Sequence, residues 1–329
     1  NSDIQYEPYW WSHAKPASMK ERDWPSSADA VIVGAGYTGL SSALTLLESD
    51  FKVVVLDSEL PGFGASSRNG GITSGKIKPS FSTLRNRFGS ELAKLLIEEG
   101  KKARKDLYNF IKTEKIDCDF DNNGMFIGPP SQKSFDKQKR EAEELFENFG
   151  SATSLVKKQD LQNFITSPKY VGGSFDKDVG SIHPAKLVAS MTNLVSQRKG
   201  YIFSKAKFLG SEKHNGSFKV ITERGTIIAK HLIIATNAYT DKNIPWLHKR
   251  LVPVISEMIA TDSIGENRVK SLMPKLNTFG EALNLFYYFR PSPDGTRLLI
   301  GGRRVRYGNE NPTKKLADGL LDIFPDLKG

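Results

Sequence analysis

Cysteine is almost absent from this chain of 329 residues: Cys118 stands alone, so no intrachain disulfide and no cysteine-based metal cluster can form. Histidine is scarce too. His13, His183, His214, His231 and His248 show no metal-ligand spacing, and His183, just before a proline at a helix start, reads as a cap or packing residue rather than a base. No segment approaches the roughly 18 uninterrupted apolar residues of a membrane span, and the N-terminal stretch lacks the apolar core of a signal peptide, so a cytoplasmic setting is expected. Repeats and low-complexity tracts are missing as well. Acidic residues are in deficit, with Lys and Arg at 47 against Asp and Glu at 37, a net charge of +10. That excess raises the possibility of a nucleic-acid partner. The charge is scattered, however, and Glu98 stands four residues before Lys102, which favours a solvated helix face. Part of the excess can be offset by an anionic cofactor and an acidic substrate. The hydrophobic fraction of 38% suits a soluble globule, and the length exceeds that of one core, so two interwoven domains are expected.

What is present is concentrated in residues 30–57. Ala30-Val31-Ile32-Val33 reads as a buried strand, and Gly34, Gly36 and Gly39 then give the G-x-G-x-x-G spacing at the point where a helix must begin. Gly34 permits a tight turn, Gly36 lets backbone approach a pyrophosphate, and Gly39 lets helix and strand pack closely. The phosphates then rest on unpaired helix N–H groups around Ala35, Tyr37 and Thr38. The surroundings agree with the motif. Leu40, Ala43, Leu44 and Leu47 form one apolar stripe at helical spacing. Ser49-Asp50 ends the pattern, and Lys52-Val53-Val54-Val55-Leu56-Asp57 is a second buried strand whose terminal carboxylate stands where a ribose is gripped, beside Ser58. Asp57 would repel a 2′-phosphate, which argues against NADP.

The cradle alone does not separate FAD from NAD; the next segment does. Pro61-Gly62-Phe63-Gly64-Ala65-Ser66-Ser67-Arg68-Asn69-Gly70-Gly71 is too small and too rich in glycine to be a third strand, and small residues let backbone lie against a flat ring system. Here the chain resembles the FAD-dependent oxidoreductases of the D-amino-acid oxidase superfamily, in the γ-glutamylputrescine oxidase and glycine oxidase-like branch. The matching pieces are Val31 through Leu40 and, more specifically, Gly64-Ala65-Ser66-Ser67-Arg68-Asn69-Gly70-Gly71. Three later stretches fit: Gly180-Ser181-Ile182-His183-Pro184, opening a helix over 185–197; the strand region 226–239 with its small-residue end at Thr236 and Asn237; and Arg250-Leu251-Val252-Pro253-Val254. The resemblance implies FAD as cofactor. By it, Phe208, on a strand expected over 201–208, meets adenine through its backbone. It also implies a further strand and helix with an Asp-Gly-x-Pro-like segment after Gly329, where the sequence stops.

The fold expected is α/β, an FAD-binding Rossmann-like domain of the glutathione-reductase type with a second substrate domain built on a mostly antiparallel sheet plus helices. Residues 1–80, 176–244 and 305–329 are assigned to the FAD-binding domain, and 81–175 and 245–304 to the substrate domain. Residues 1–28 form an aromatic arm with Tyr6, Tyr9, Trp10 and Trp11 that packs on the body. Helices are expected over 82–115 and 132–149. One hairpin joins 218–222 to 226–228 through Arg224-Gly225, and another joins 285–290 to 297–301.

Flavin chemistry requires binding and orientation from the protein, so no Ser/His/Asp triad is expected. The second hairpin is the candidate substrate wall. Leu285, Tyr287 and Phe289 share one face and Phe286, Tyr288 and Arg290 the other. Tyr287 or Tyr288 is placed to hydrogen-bond a substrate carboxylate, and Arg303 to pair with it. The alternative is an aromatic core with surface arginines. Arg68 is a second candidate, the alternative being a brace for its own loop. The leading expectation is oxidation of an amine or amino acid to an imine that water hydrolyses, with oxygen reoxidising the flavin and yielding hydrogen peroxide. The alternatives are an amine dehydrogenase that passes electrons to a carrier, a basic flavoprotein acting in RNA modification, and a flavin-binding module without turnover. A nucleic-acid partner is not favoured.

Overall fold

The computed structural model describes residues 4–20, 22–150, 153–283, 286–303 and 311–328, with Arg303 described by its backbone. The first stretch runs β1 (Ser27–Val33), α1 (Tyr37–Leu47), β2 (Val53–Leu56), β3 (Ile72–Thr73), α2 (Phe81–Phe88) and α3 (Ser90–Thr113). There follow β4 (Met125–Gly128), α4 (Gln132–Phe149), β5 (Thr153–Lys157), β6 (Gly172–Asp176), β7 (Gly180–Ser181), α5 (Pro184–Gln197), β8 (Tyr201–Phe203), β9 (Phe208–His214), β10 (Ser217–Thr222) and β11 (Gly225–Ile234). The last are α6 (Pro245–His248), β12 (Ser256–Ala260), α7 (Glu266–Leu272), β13 (Thr278–Glu281), β14 (Tyr287–Pro291), β15 (Leu298–Arg303) and α8 (Pro312–Ile323). None of these helices is long and apolar enough, among the described residues, to cross a membrane.

The chain divides into two compact units, residues 1–69 with 184–254 and residues 70–183 with 255–329. In the first unit a six-stranded sheet has the order β8-β2-β1-β11-β10-β9. β8, β2, β1 and β11 are parallel, and β10 and β9 extend the sheet antiparallel. Val31 pairs with Leu232, so the strand over 30–33 and the later strand over 232–234 lie side by side. Parallel strands are covered on both faces and read as continuous apolar runs; Val53, Val54, Val55 and Leu56 are accordingly all fully buried. On α1, Leu40, Ala43 and Leu44 are buried and Leu47 is half-buried. Each such leucine contributes roughly 1.5–3 kcal/mol by leaving water.

The second unit is built on a seven-stranded sheet, β12-β15-β14-β13-β4-β6-β5, in which only β13 and β4 run parallel. β3 and β7 form a separate two-stranded ladder. The unit's core is aromatic: Phe279 stacks on Phe126 (5.2 Å between ring centroids), Phe289 (4.3 Å) and Tyr170 (5.0 Å).

Several elements differ from expectation. The helix expected over 82–115 is two, because Gly89 adopts φ +81°, a value that ends α2 and restarts the chain as α3. The strand expected over 201–208 stops at Phe203: Lys205 turns into the left-handed region (φ 48°), and Phe208 opens β9 instead. Lys102 pairs with Asp106 at 2.6 Å rather than with Glu98, since both acids lie one turn away and the lysine takes the later one. The unit boundaries also shift. Segments 70–80 and 176–183 pack in the second unit because Ile72 and Thr73 pair with Ser181 and Gly180. The C-terminal helix does so because Leu316, Leu320 and Ile323 enter the aromatic core. Residues 245–254 stay with the first unit, and 304–310 and Leu285 lie outside the described residues.

Phe279 is the ring on which three others rest. Phe279→Ala is expected to lower stability by about 3–5 kcal/mol, read as a fall in the urea midpoint of the second unit's transition.

Candidate active site

In the first unit the glycine spacing becomes contact geometry. Gly34 has φ +109°, and a Cβ there would lie 2.6 Å from the carbonyl oxygen of Ala235, at the end of β11. A Cβ on Gly39 would fall 1.8 Å from the Gly34 carbonyl oxygen, so helix and strand meet at a distance only glycine allows. On Gly36 it would sit 2.8 Å from Ser66 Oγ. Gly36 is the residue before α1 and offers no side chain to the helix's first amides. Tyr37 N–H donates to Ser66 Oγ (3.0 Å). The amides of Thr38 and Gly39 are among the donors that a helix start leaves without intrahelical acceptors. That is the arrangement a pyrophosphate takes.

Around it the loop of residues 61–69 folds on itself. Ala65–Ser67 is one 3-10 turn, and Asn69 Nδ2 donates to the carbonyls of Ala65 and Ser66 (both 3.1 Å). Gly64 lies under the Tyr239 ring. Arg68 Nε donates to Gly64 O (3.2 Å), and its guanidinium lies over the rings of Phe63 (4.9 Å) and Trp11 (5.6 Å). Thr236 and Asn237 close β11, with Thr236 Oγ1 and Thr240 Oγ1 2.6 Å apart. The structure thus brings Gly34, Gly36, Tyr37, Ser66 and Thr236 to the α1 start.

Asp57 ends β2 and accepts from Ala35 N–H (2.7 Å) on one oxygen and from Glu59 N–H (2.9 Å) on the other. Burial pushes its carboxyl above the usual range, the two amides pulling the other way. A carboxylate has about four lone-pair sites, so capacity remains for hydroxyl donors. Ser58 beside it is exposed. Phe208 pairs with Thr222, and its carbonyl accepts from Asn243 Nδ2 (3.1 Å).

The remaining candidates lie in the second unit. Gly71 (φ +66°) accepts from Ile182 N–H (2.8 Å), and Arg290 Nη1 donates to Ile182 O (2.8 Å) and to Gly71 O (3.4 Å). Arg290 is buried, and carbonyls from β14, from the 182 segment and from Gly71 converge on it. Sequence reading placed it on the hairpin without assigning it this junction. Its signal was an arginine inside a strand of aromatics.

The two tyrosines part company. Tyr287 points with Phe289 into the core: it packs over Gly302 and Gly319, its N–H donates to Glu281 Oε2 (3.0 Å), and burial and the Glu281 carboxylate raise its hydroxyl pKa. Glu281 is itself held by Tyr170 Oη (3.1 Å) and Lys169 Nζ (2.8 Å). Tyr288 lies on the opposite face with Arg290. Added Cβ atoms on Gly301 and Gly70 would meet its ring at 2.3 and 2.8 Å, so both glycines make room for it. Arg303 closes β15 opposite Ser256, and its side chain lies outside the described residues.

Two further side chains hold the segment after Gly71. Arg104, buried on α3, faces Asp178 (3.4 Å), Asp176 (3.7 Å) and the Ser74 carbonyl (3.3 Å), and Tyr108 Oη contacts Thr73, Asp178 and Gly180. Nothing in the helical spacing of 82–115 singles out either residue.

Comparison with known proteins decides the family. The DAO family, FAD dependent oxidoreductase, matches residues 29–328. The chain belongs to that family. It is an FAD-dependent oxidoreductase. It is 33% identical over 311 residues to gamma-glutamylputrescine oxidoreductase of Escherichia coli K12, covering 92% of this chain and 71% of the relative. It is 28% identical to the probable oxidoreductase OrdL of Rhizobium meliloti, covering 91% and 70%. Among solved structures, glycine oxidase from Geobacillus kaustophilus superposes with a TM-score of 0.73 at 17% identity, over 92% of this chain and 80% of that one. L-proline dehydrogenase from P. horikoshii gives 0.74 at 15%, over 93% and 79%. These last two establish the fold. The helix start, with glycine as its N-cap and the amides of Thr38 and Gly39 left over, fits the pyrophosphate of FAD.

Because its neighbour is a backbone carbonyl that cannot swing aside, Gly39→Ala is expected to push α1 off β1. Purified variant should carry little FAD and melt several degrees below wild type, whereas Thr38→Ala, at an exposed position one residue before, should melt as wild type does.

Proposed function

We propose that this chain oxidises the C–N bond of an amine or amino acid to an imine, which water hydrolyses, and that oxygen reoxidises the flavin with release of hydrogen peroxide. The observation that carries the reading is the joint presence of the FAD cradle in the first unit and, in the second, of Tyr288 and Arg290 on the sheet face beside Gly70 and Gly71. The identity to gamma-glutamylputrescine oxidoreductase supports the amine as substrate class. The first unit is read as the FAD-binding domain and the second as the substrate domain.

Bound FAD supplies the two-electron acceptor for the substrate's α C–H bond. The chain's own residues bind and orient. Backbone amides at Thr38 and Gly39 receive the pyrophosphate, and Ser66 holds Tyr37 N–H in place beside them. Asp57 accepts from the adenosine hydroxyls. Within the second unit, Arg290 holds the backbone of Gly71 and Ile182 through their carbonyls. Tyr288 presents a hydroxyl to the substrate, and Arg303 pairs with an anionic end in bidentate fashion. Arg68 stabilises its own loop from the ring faces of Phe63 and Trp11, so its removal acts on cofactor affinity rather than on KM.

Two outcomes are expected. Ribose hydroxyls donating to Asp57 draw its raised pKa down, so binding FAD expels a proton from the protonated carboxyl. Affinity should therefore rise with pH through the free protein's Asp57 pKa. Asp57→Ala should flatten that profile and weaken FAD by about 1–3 kcal/mol; an unchanged profile in titrations of apo-protein would refute the role.

The activity itself is tested by peroxide release from the FAD-loaded protein across a panel of amines and amino acids. Arg303→Ala should raise KM for a carboxylate-bearing substrate, and lower kcat where that contact aligns the C–H bond. Equal turnover of an amino acid and its decarboxylated amine, with the variant unimpaired, would remove the carboxylate site. Reduction of an artificial carrier without peroxide would make the chain a dehydrogenase.

A further inference from the structure

Residues 4–20 precede the span 29–328 that the family match covers, so family membership assigns them no task. They nevertheless end on the FAD loop. The 3-10 helix Tyr9–Ser12 sends two indole N–H groups to it: Trp10 Nε1 donates to Asn69 O and Trp11 Nε1 to Ser67 Oγ, both at 2.8 Å. Trp10 and Ser67 are fully buried. Trp11 also lies against Phe63 (5.5 Å between centroids) and under the Arg68 guanidinium. The two acceptors bracket Arg68, and Ser66, the next residue back, takes the first amide of α1. A shift of the arm is thus passed through one 3-10 turn to the Ser66 hydroxyl that shapes the helix start.

We propose that the N-terminal arm is a positioning element for the FAD loop, with the indole N–H groups of Trp10 and Trp11 fixing residues 65–69 in the conformation that receives the cofactor. A loop of small residues has many conformations to lose on binding, and glycine the most. Two indole hydrogen bonds, one of them from the fully buried Trp10, remove part of that freedom beforehand, so less is lost when FAD arrives. Phenylalanine in either position keeps a smaller aromatic ring and deletes the donor, leaving Asn69 O or Ser67 Oγ without it.

The test is FAD titration of apo-protein by fluorescence quenching for Trp10→Phe, Trp11→Phe and, as control, Trp24→Phe, whose indole sits at Thr226 and against Phe203, on another part of the unit. Each arm variant should raise the Kd for FAD roughly two- to tenfold, the range of one lost neutral hydrogen bond, and should alter the visible flavin spectrum, with the control unchanged. Unaltered affinity in both arm variants, or equal weakening by the control, overturns the proposal. A second measurement uses wild type alone. Coupling is reciprocal, so saturating FAD should slow amide hydrogen exchange across residues 4–20. Identical exchange with and without FAD would refute the coupling even where a variant fails to fold.

Discussion

Everything in the first unit hangs on one close approach, that of Gly39 to the carbonyl of Gly34, where a Cβ would fall at 1.8 Å. It brings the start of α1 against the end of β1. Gly34 is in turn pressed on the Ala235 carbonyl, so the end of β11 arrives at the same point. The end of β1, the start of α1 that follows it and the sequence-distant end of β11 therefore meet at one point. Behind them the parallel strands β1 and β2 are buried almost throughout, as strands covered on both faces are. The amides of Thr38 and Gly39, left over at the start of α1, are the kind of donors that a cofactor's phosphates take.

How much of this was legible follows from which interactions are local. Glycine spacing, the Leu40, Ala43, Leu44 and Leu47 stripe and the run Val53-Val54-Val55 are local patterns, and each formed the element expected. So did the helix Gln132–Phe149, which carries its own capping box at Ser131 and Ser134 and a left-handed glycine stop at Gly150. The misses are of another kind. Gly89 sits in a stretch whose apolar periodicity continues on both sides, so periodicity alone ran two helices into one. The break after Phe203 depends on Lys205 entering a left-handed turn while Ala206 N–H bonds back to Asp57 O, a contact across nearly 150 residues that no short window contains. The C-terminal helix went to the second unit because a distant aromatic core had room for Leu316, Leu320 and Ile323.

The hairpin shows the limit most sharply. A period of two states that Tyr287 and Tyr288 face opposite ways but not which way either faces. The decision lies in residues with no side chain: Gly302 and Gly319 open space for Tyr287 on the core side, and Gly301 and Gly70 open it for Tyr288 on the other. Such pairings become visible only when partners from separate segments are set side by side. Arg290, on the face of Tyr288, is fixed by the same logic.

Arg290 also shows why the segments around Gly71 and Ile182 can be loops and still be placed accurately. A guanidinium carries its charge permanently, and taking it out of water is costly unless its donors are satisfied. Here Nε and Nη1 meet the carbonyls of Pro291, Ile182 and Gly71, oxygens that lie at the ends of three different segments. Because the group is planar and its donors diverge in a fixed fork, those carbonyls can satisfy it only from particular directions. Gly71 can reach its direction because φ +66° is open to glycine, and because a Cβ there would strike the Ile182 carbonyl at 2.2 Å. Lysine in place of Arg290 would keep the charge but present one point where the fork presents several, so the segments would lose their common reference. The buried charge thus acts as a template for loop geometry, a task that an apolar side chain of equal volume could not perform.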